Sequence, residues 1–309
     1  YYVENGTVFH TYYTVKYRSD ALLTDKIDAE FQAFHLSLNP FNPNSILARV
    51  NRNEDVEVDR WFSAVFNKAI EVSEHSGGMF DVTVAPLINL WGFGFERKDS
   101  VSPQVIDSLL AFVGYRKIRL ENNHVVKDDP RMMLNFSAIA KGYACDVIAD
   151  LLEREGVANY MVDIGGELAV KGLNPDGNCW RAGISKPDED VYGTNSQEVN
   201  AIVRLCNKCG LATSGNYRNF YVKDGKKYTH TIHPHTGYPS EQTILSATIL
   251  AADCMTADAY ATAFMAMGVE DACRMAETIP DIEYYLIYAG PDDTFQIKYS
   301  DGMSSVLMK

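Results

Sequence analysis

The chain has 309 residues, with 28 Lys+Arg against 41 Asp+Glu for a formal net charge of −13, and 46% of its residues are hydrophobic. That composition is globular and excludes collagen, coiled coil and disorder. The acidity excludes nucleic acid and anionic lipid as general partners, since both need a basic footprint, and an anionic ligand would have to be held by local groups against the overall field. No apolar run reaches the roughly 18 residues of a membrane helix. The chain opens at Tyr1 rather than Met, as a trimmed chain would. No repeat or low-complexity linker interrupts it, so one continuous unit over 1–309 is expected.

In chain order, residues 8–17 alternate, placing Phe9, Tyr13, Val15 and Tyr17 on one face of a half-buried strand. Leu23, Ile27, Phe31, Phe34 and Leu38 are spaced for one helix face, and Pro40 and Pro43 end that helix. Asp59 is a plausible N-cap for a second helix carrying Phe62, Val65, Ala69 and Val72. Ser102-Pro103 opens a third. A hairpin around Asn122-Asn123 follows, then a helix over about 138–155. Extended runs are predicted near 159–163, 167–171, 180–184, 199–205, 211–213, 219–223, 227–232 and 243–251, with turns at Asn174–Gly177 and Asp224-Gly225. Helices over about 255–267 and 269–278 precede a last hairpin through Pro291–Asp293. Long helices with mostly antiparallel strand signals read as α+β.

Four clusters interrupt this framework. Gly78–Gly94 reads on its own as a strand and turn with aromatic core residues. In Asn135–Tyr143, Ser137 is placed to cap a helix with Lys141 one turn in. Exposed amides plus a cation suit a phosphate; a plain capped helix with a solvated lysine is the equal alternative. Asp163-Ile-Gly-Gly-Glu167 permits close backbone approach by a ligand or by another strand. In Asp253–Thr262, Thr256 as N-cap sets Asp258 and Thr262 i,i+4 on one face near the positive helix end. A carboxylate and a hydroxyl suit magnesium, although Asp258 also simply favours a helix start.

His230, His233 and His235 crowd into six residues, and in a strand the last two would share a side. Hydrogen bonding or proton transfer is favoured over zinc, because no second ligand cluster supports a metal. Of six cysteines, only Cys206 and Cys209 are closely spaced. The extended Gly210–Thr213 after them is unlike the helix that follows a redox C-x-x-C, so buried or free thiols are expected.

Together these segments resemble the ApbE family of FAD:protein FMN transferases. The resemblance covers nearly the whole chain. It rests on Phe80-Asp-Val-Thr-Val84 with Trp91-Gly-Phe-Gly94, Ile139-Ala-Lys-Gly-Tyr143, Asp163-Ile-Gly-Gly-Glu167, Ala212-Thr-Ser-Gly215 with Tyr217-Arg-Asn-Phe220, and Thr256-Ala-Asp-Ala259, in the family's order. It implies an ApbE-like, T-fold-related α+β unit that binds FAD with Mg2+ and moves FMN onto a threonine hydroxyl of a target protein, releasing AMP. The implied targets are redox-complex subunits, and the implied location is the periplasmic face of the inner membrane, as a lipoprotein. FAD pyrophosphatase activity, giving FMN and AMP, and an exported flavin-binding protein without transfer are the alternatives.

Carried over by motif, Phe9 and Phe41 line the flavin pocket, and Met79, Phe80 and Asp81 contact the adenine-bearing side of FAD. Lys141 stands beside the diphosphate. Ala138 offers a carbonyl to the metal, with Asp258 and Thr262 as its side-chain ligands. His230 matches the family's histidine near the cofactor and is the candidate base or orienting group. Three places depart from the pattern: Asn135 replaces an Asp of the FAD site, His233 and His235 replace the Asp and Arg or Lys of a turn, and Phe9-His10-Thr11 replaces Met-Gly-Thr. An amide donates as well as accepts a hydrogen bond but carries no charge, so the contact at Asn135 is expected to change.

Overall fold

The strand expected at 8–17 is one arm of a hairpin. In the computed structural model, which describes residues 1–94, 101–186, 199–215, 220–223, 226–229, 231–240, 243–290 and 294–308, β1 (Tyr2–Val8) pairs antiparallel with β2 (Thr11–Tyr17). Phe9 and His10 form the turn, with φ of 50° and 61°. β1 carries Glu4, Asn5 and Gly6 and shows no apolar alternation; its backbone ladder places it, which is why the sequence conceals it.

α1 (Thr24–Leu38) buries Ile27, Phe31, Phe34 and Leu38 as predicted, and Leu23 is buried at its N-cap. α2 (Ile46–Asn51) starts at Ser45, which accepts the Ala48 N–H, and is too short to show a period. α3 (Arg60–His75) starts where expected, with the Asp59 carboxylate accepting the Phe62 N–H at 2.9 Å. α4 (Ala85–Leu90), seeded by Pro86 in its first turn, corrects the strand-and-turn reading of this segment. α5 (Pro103–Leu110) begins at Ser102, and β3 (Ile118–Glu121) and β4 (His124–Lys127) close the expected hairpin on left-handed Asn122 and Asn123.

The second half alternates less regularly. α6 (Ala140–Arg154) is followed by β5 (Tyr160–Ile164), β6 (Glu167–Lys171), β7 (Trp180–Ser185), β8 (Val199–Leu205) and β9 (Cys209–Gly215). Then come β10 (Phe220–Lys223), β11 (Lys226–Thr229), β12 (Ile244–Ala251), α7 (Cys254–Met267) and α8 (Val269–Ala276). β13 (Glu283–Ala289), β14 (Phe295–Tyr299) and α9 (Asp301–Val306) end it. The predicted turns at Asp224-Gly225 and Pro291–Asp293 lie outside the described residues.

Eight strands form one sheet in the order β1-β2-β5-β6-β9-β12-β13-β14, and every neighbouring pair is antiparallel. The two-residue period of a strand divides its side chains between two cores. Ala169, Ala212 and Leu286 join the core under α1, α6 and α7, while their neighbours Leu168, Val170, Leu211, Tyr285 and Ile287 face the β7–β8 ribbon. Central strands buried on both faces explain the near-continuous apolar runs in β6 and β12.

The cysteine expectation needs correcting. Cys206 is not a free thiol paired in sequence with Cys209; it is disulfide-bonded to Cys179. The ribbon register explains why: Trp180 pairs with Leu205, so the residues just beyond that pair stand opposite each other, with a Cα–Cα distance of 4.6 Å. Cys209 opens β9 instead, and burial pushes its thiol up to about 11.

Candidate active site

The site is built where α6 meets α7. Neither helix starts as its sequence suggests. Ser137 does not cap α6; its N–H donates to Asn135 Oδ1 at 2.8 Å in a tight turn, and the helix begins three residues later without a side-chain cap. Asp253, not Thr256, caps α7, accepting the Thr256 N–H at 2.7 Å. Asp146 of α6 takes the two amides before it, accepting from Cys254 at 2.9 Å and Met255 at 2.7 Å. With its first N–H groups satisfied by carboxylates, the start of α7 is not an anion site, and Asp258 sits a full turn inside the helix.

Gly142 lets the helices touch. A Cβ there would lie 2.3 Å from the Cys254 carbonyl oxygen and 2.6 Å from Asp258 Cβ. Asp258 Oδ2 accepts the Gly142 N–H at 2.9 Å. Gly142 stands in the first turn of α6, where a helix leaves its N–H groups without an intrahelical acceptor, and Asp258 supplies one from α7. The Ala138 carbonyl lies just before the Ile139 cap, at the same cavity wall.

Lys141 Nζ pairs with Glu167 Oε1, at the first residue of β6. Glu167 Oε2 is buried and has no hydrogen-bond partner among the described residues. Burial raises the pKa of both Asp258 and Glu167, against the pull of the Lys141 charge. Burial likewise works to lower Lys141, but the charges of Glu167 and Asp258 outweigh it and hold its pKa above the ordinary value. Two buried carboxylates facing one ammonium leave the site a cation short. The Asp258 carboxylate, the Ala138 carbonyl and the Thr262 hydroxyl are hard donors of residues that line one cavity, so these residues fit a magnesium ion. Thr262 Oγ1 lies 3.3 Å from Ser214 Oγ on β9.

These groups open onto a cavity of about 700 Å3, within the size range of small-molecule sites. Of the residues singled out from sequence, it brings together Phe9, Met79, Phe80, Asp81, Asn135, Ala138, Lys141, Asp258 and Thr262. Phe41 is exposed and lines an adjoining hollow of about 190 Å3, which shares Phe9, His10, Ser137 and Lys141 with the main cavity. His230 lies outside the described residues, as does Tyr217-Arg-Asn219. In the sequence the glycines before Glu167 stand out while Glu167 itself carries no assigned role; a carboxylate directly after a Gly-Gly turn is the available signal. Ser214 and Thr231 of the lining were also unassigned.

The ApbE family model matches residues 9–286. The chain belongs to the ApbE family. It is 36% identical to the FAD:protein FMN transferase of Vibrio cholerae, over 99% of this chain and 92% of that protein. It is 34% identical to that of Haemophilus influenzae, over 98% and 90%. Among solved structures, the flavin transferase ApbE from Vibrio cholerae matches with a TM-score of 0.88 at 34% identity, covering 99% of this chain and 98% of that one. The ApbE protein from Thermotoga maritima matches at 0.85 and 26%, covering 100% of both.

Where this chain departs from the ApbE pattern, the geometry shows the consequence. Asn135 is buried, and its Oδ1 is occupied by the Ser137 N–H, so its amide nitrogen is the group left to offer the cavity. His233 and His235 lie in a turn, not a strand, closed by the Gly237 N–H on the His233 carbonyl at 2.9 Å. Their rings meet edge to face at 5.7 Å, and no third ligand joins them among the described residues. A Cβ at Gly78 would stand 3.0 Å from His235 Nε2, and Trp91 Nε1 donates to the Gly237 carbonyl at 2.8 Å. The turn thus braces the Gly78–Gly94 segment. Asp81 in that segment is buried and spends its carboxylate on the Thr83 N–H (2.8 Å) and hydroxyl (2.5 Å) and the Tyr115 N–H (2.8 Å). Burial raises its pKa against those bonds. Asp81 lines the cavity wall.

Proposed function

We propose that this protein transfers FMN from FAD to a threonine hydroxyl of an acceptor protein in a magnesium-dependent reaction. The observation that carries the reading is the α6–α7 contact, where Asp258 accepts the Gly142 N–H and the cavity lining brings Ala138, Asp258 and Thr262 beside Lys141. Ala138, Asp258 and Thr262 would hold the ion, which when bound neutralises diphosphate charge. Lys141, anchored by Glu167, presents its ammonium to the same diphosphate. Phe9, Met79 and Phe80 give the cavity apolar surface for the rings of FAD, and Phe41 extends it into the adjoining hollow.

In the reaction the threonine oxygen bonds to the FMN phosphorus, the bridging P–O bond breaks, and AMP leaves with the electron pair. The hydroxyl proton needs an acceptor, and His230 is the candidate by its motif. Export to an oxidising compartment accords with the Cys179–Cys206 disulfide, since such bonds persist outside reducing cytosol. Redox-complex subunits as acceptors and a lipid anchor at the membrane follow from the family resemblance alone.

The test is to incubate purified protein with FAD, magnesium and an acceptor polypeptide, then read flavin fluorescence on the denatured acceptor. Labelling that chelator abolishes is expected. Free FMN and AMP with an unlabelled acceptor would mean hydrolysis instead, and bound FAD left intact would mean a binding protein.

A further inference from the structure

We propose that the chain dimerises by pairing the free edge of β14 with β14 of a second copy, across a two-fold axis at Ile297. The eight-stranded sheet has two edges, β1 and β14. β1 is guarded: Glu4 is buried on its inner face, and the neighbouring Asn5 and Gly6 offer no apolar surface. Inward-pointing charges of that kind are one way sheets prevent edge-to-edge pairing. β14 has none of these devices. Its residues, Phe295-Gln-Ile-Lys-Tyr299, include no proline, glycine or carboxylate, its pairing with β13 runs without a bulge, and every one of them is exposed.

Backbone and side chains of β14 present the same three residues. The Gly290 N–H donates to the Thr294 carbonyl at 2.7 Å and the Ser300 N–H to the Tyr284 carbonyl at 3.1 Å, so the even-numbered residues of this strand bond inward to β13. In an antiparallel ladder the alternate residues then turn their N–H and C=O groups the other way. Phe295, Ile297 and Tyr299 therefore aim theirs at the open edge, where no further strand stands among the described residues. Their side chains share the ribbon face with their cross-strand partners Ala289, Ile287 and Tyr285, yet stay 44%, 45% and 46% exposed.

A second copy completes this edge in one register. With Ile297 facing itself across the axis, Phe295 faces Tyr299 of the second copy, and each facing pair exchanges both backbone bonds. Gln296 then stands opposite Lys298, so no charge meets its like. Moving the axis to Lys298 would set two ammonium groups opposite each other, and moving it to Gln296 would leave Tyr299 unmatched within the strand. A one-residue slip would put the apolar side chains on the polar face. Because β1 is guarded, the pairing uses the one open edge of each copy and closes as a dimer instead of extending into a fibre. β12 and β13 stand between this edge and β9, whose Thr213, Ser214 and Gly215 line the reaction cavity, so the dimer leaves FAD binding to each copy.

The experiment is sedimentation velocity on the full chain over a range of concentrations, with FAD affinity and Tm measured for each variant. A monomer–dimer equilibrium is expected for the native chain. Ile297→Lys would bring like charges together at the axis and should raise the dimer Kd at least about a hundredfold, with FAD affinity unchanged. Ile297→Glu should do the same. An equimolar mixture of those two variants should regain the dimer, a gain that misfolding cannot produce. Lys298→Glu, opposite Gln296, should leave Kd within about threefold. A native chain that stays monomeric up to about 100 μM, or a dimer that persists in Ile297→Lys, overturns the pairing. A monomer whose Ile297→Lys variant loses affinity for an acceptor polypeptide would also overturn it, and would assign the edge to the acceptor.

Discussion

On the helical face of the sheet, α6 and α7 are pressed together at a glycine, and α7 is apolar nearly all round because sheet and helices enclose it. On the opposite face, the β7–β8 ribbon rests on a small core of residues such as Trp180, Val203 and Tyr285, and a disulfide ties its base. The contrast separates two requirements. A site that holds two carboxylates and a lysine out of water needs positions fixed by packing, which close helix contact supplies. A two-stranded ribbon on a small core draws less from packing, and a covalent tie adds to it. If this division is right, damage to the ribbon should cost stability before chemistry, and damage at the helix contact should cost both.

Breaking the tie tests the first half. Replacing Cys179 and Cys206 by Ser frees a loop with a sequence separation of 27. Thermal or urea unfolding should show a loss of about 3 kcal/mol, with FAD binding retained at temperatures where the variant is folded. Alkylation of the denatured native chain should find the thiols of Cys145, Cys209, Cys254 and Cys273 before reduction, and two more after it.

Gly142→Ala probes the other half. Its methyl would press on the Cys254 carbonyl and Asp258, costing about 1–3 kcal/mol and FAD-dependent activity together. Gly183→Ala on β7 sharpens the contrast. Among the described residues its methyl would meet the exposed Val199 alone, at 3.3 Å, and a change within about 0.5 kcal/mol is expected.

The smallest effect is electrostatic. Glu153 of α6 accepts from the Tyr160 hydroxyl at 2.7 Å, Lys171 at 3.0 Å and Lys208 at 2.7 Å, tying the helix to the sheet. Burial works to raise its pKa, but these partners prevail and hold it at about 2, below its ordinary 4.5. The folded carboxyl therefore binds fewer protons than the unfolded one between those values. Its stabilisation is complete above about pH 5 and is lost as the pH falls toward 2. The Tm gap between the native chain and Glu153→Gln should be widest near neutral pH and should close over that range.

Much of the frame was legible in the sequence because its elements carry their own periods and caps. α1 declared itself by its 3–4 spacing, α3 and α5 by Asp59 and Ser102, and β3–β4 by Asn122-Asn123. What escaped notice was decided across the fold. β1 is placed by its partner's backbone, and the cap of α7 is won by Asp253 with help from Asp146 on another helix. Cys206 finds Cys179 through the ribbon register instead of through sequence proximity. The site residues were readable as motifs, but their coupling was not. No linear pattern shows that Asp258 accepts the Gly142 N–H across the helix contact, or that Glu167 is the anchor of Lys141.

The most direct test of the account is Asp258→Asn, which keeps the side chain's shape and removes its charge. Covalent flavin on an acceptor polypeptide would be measured with FAD and magnesium, alongside calorimetric magnesium titration and the Tm. Labelling should fall at least about a hundredfold, and magnesium binding should be lost, with the chain still folded. Labelling and magnesium binding at native levels in that variant would contradict the assignment of the α6–α7 contact as the reaction centre.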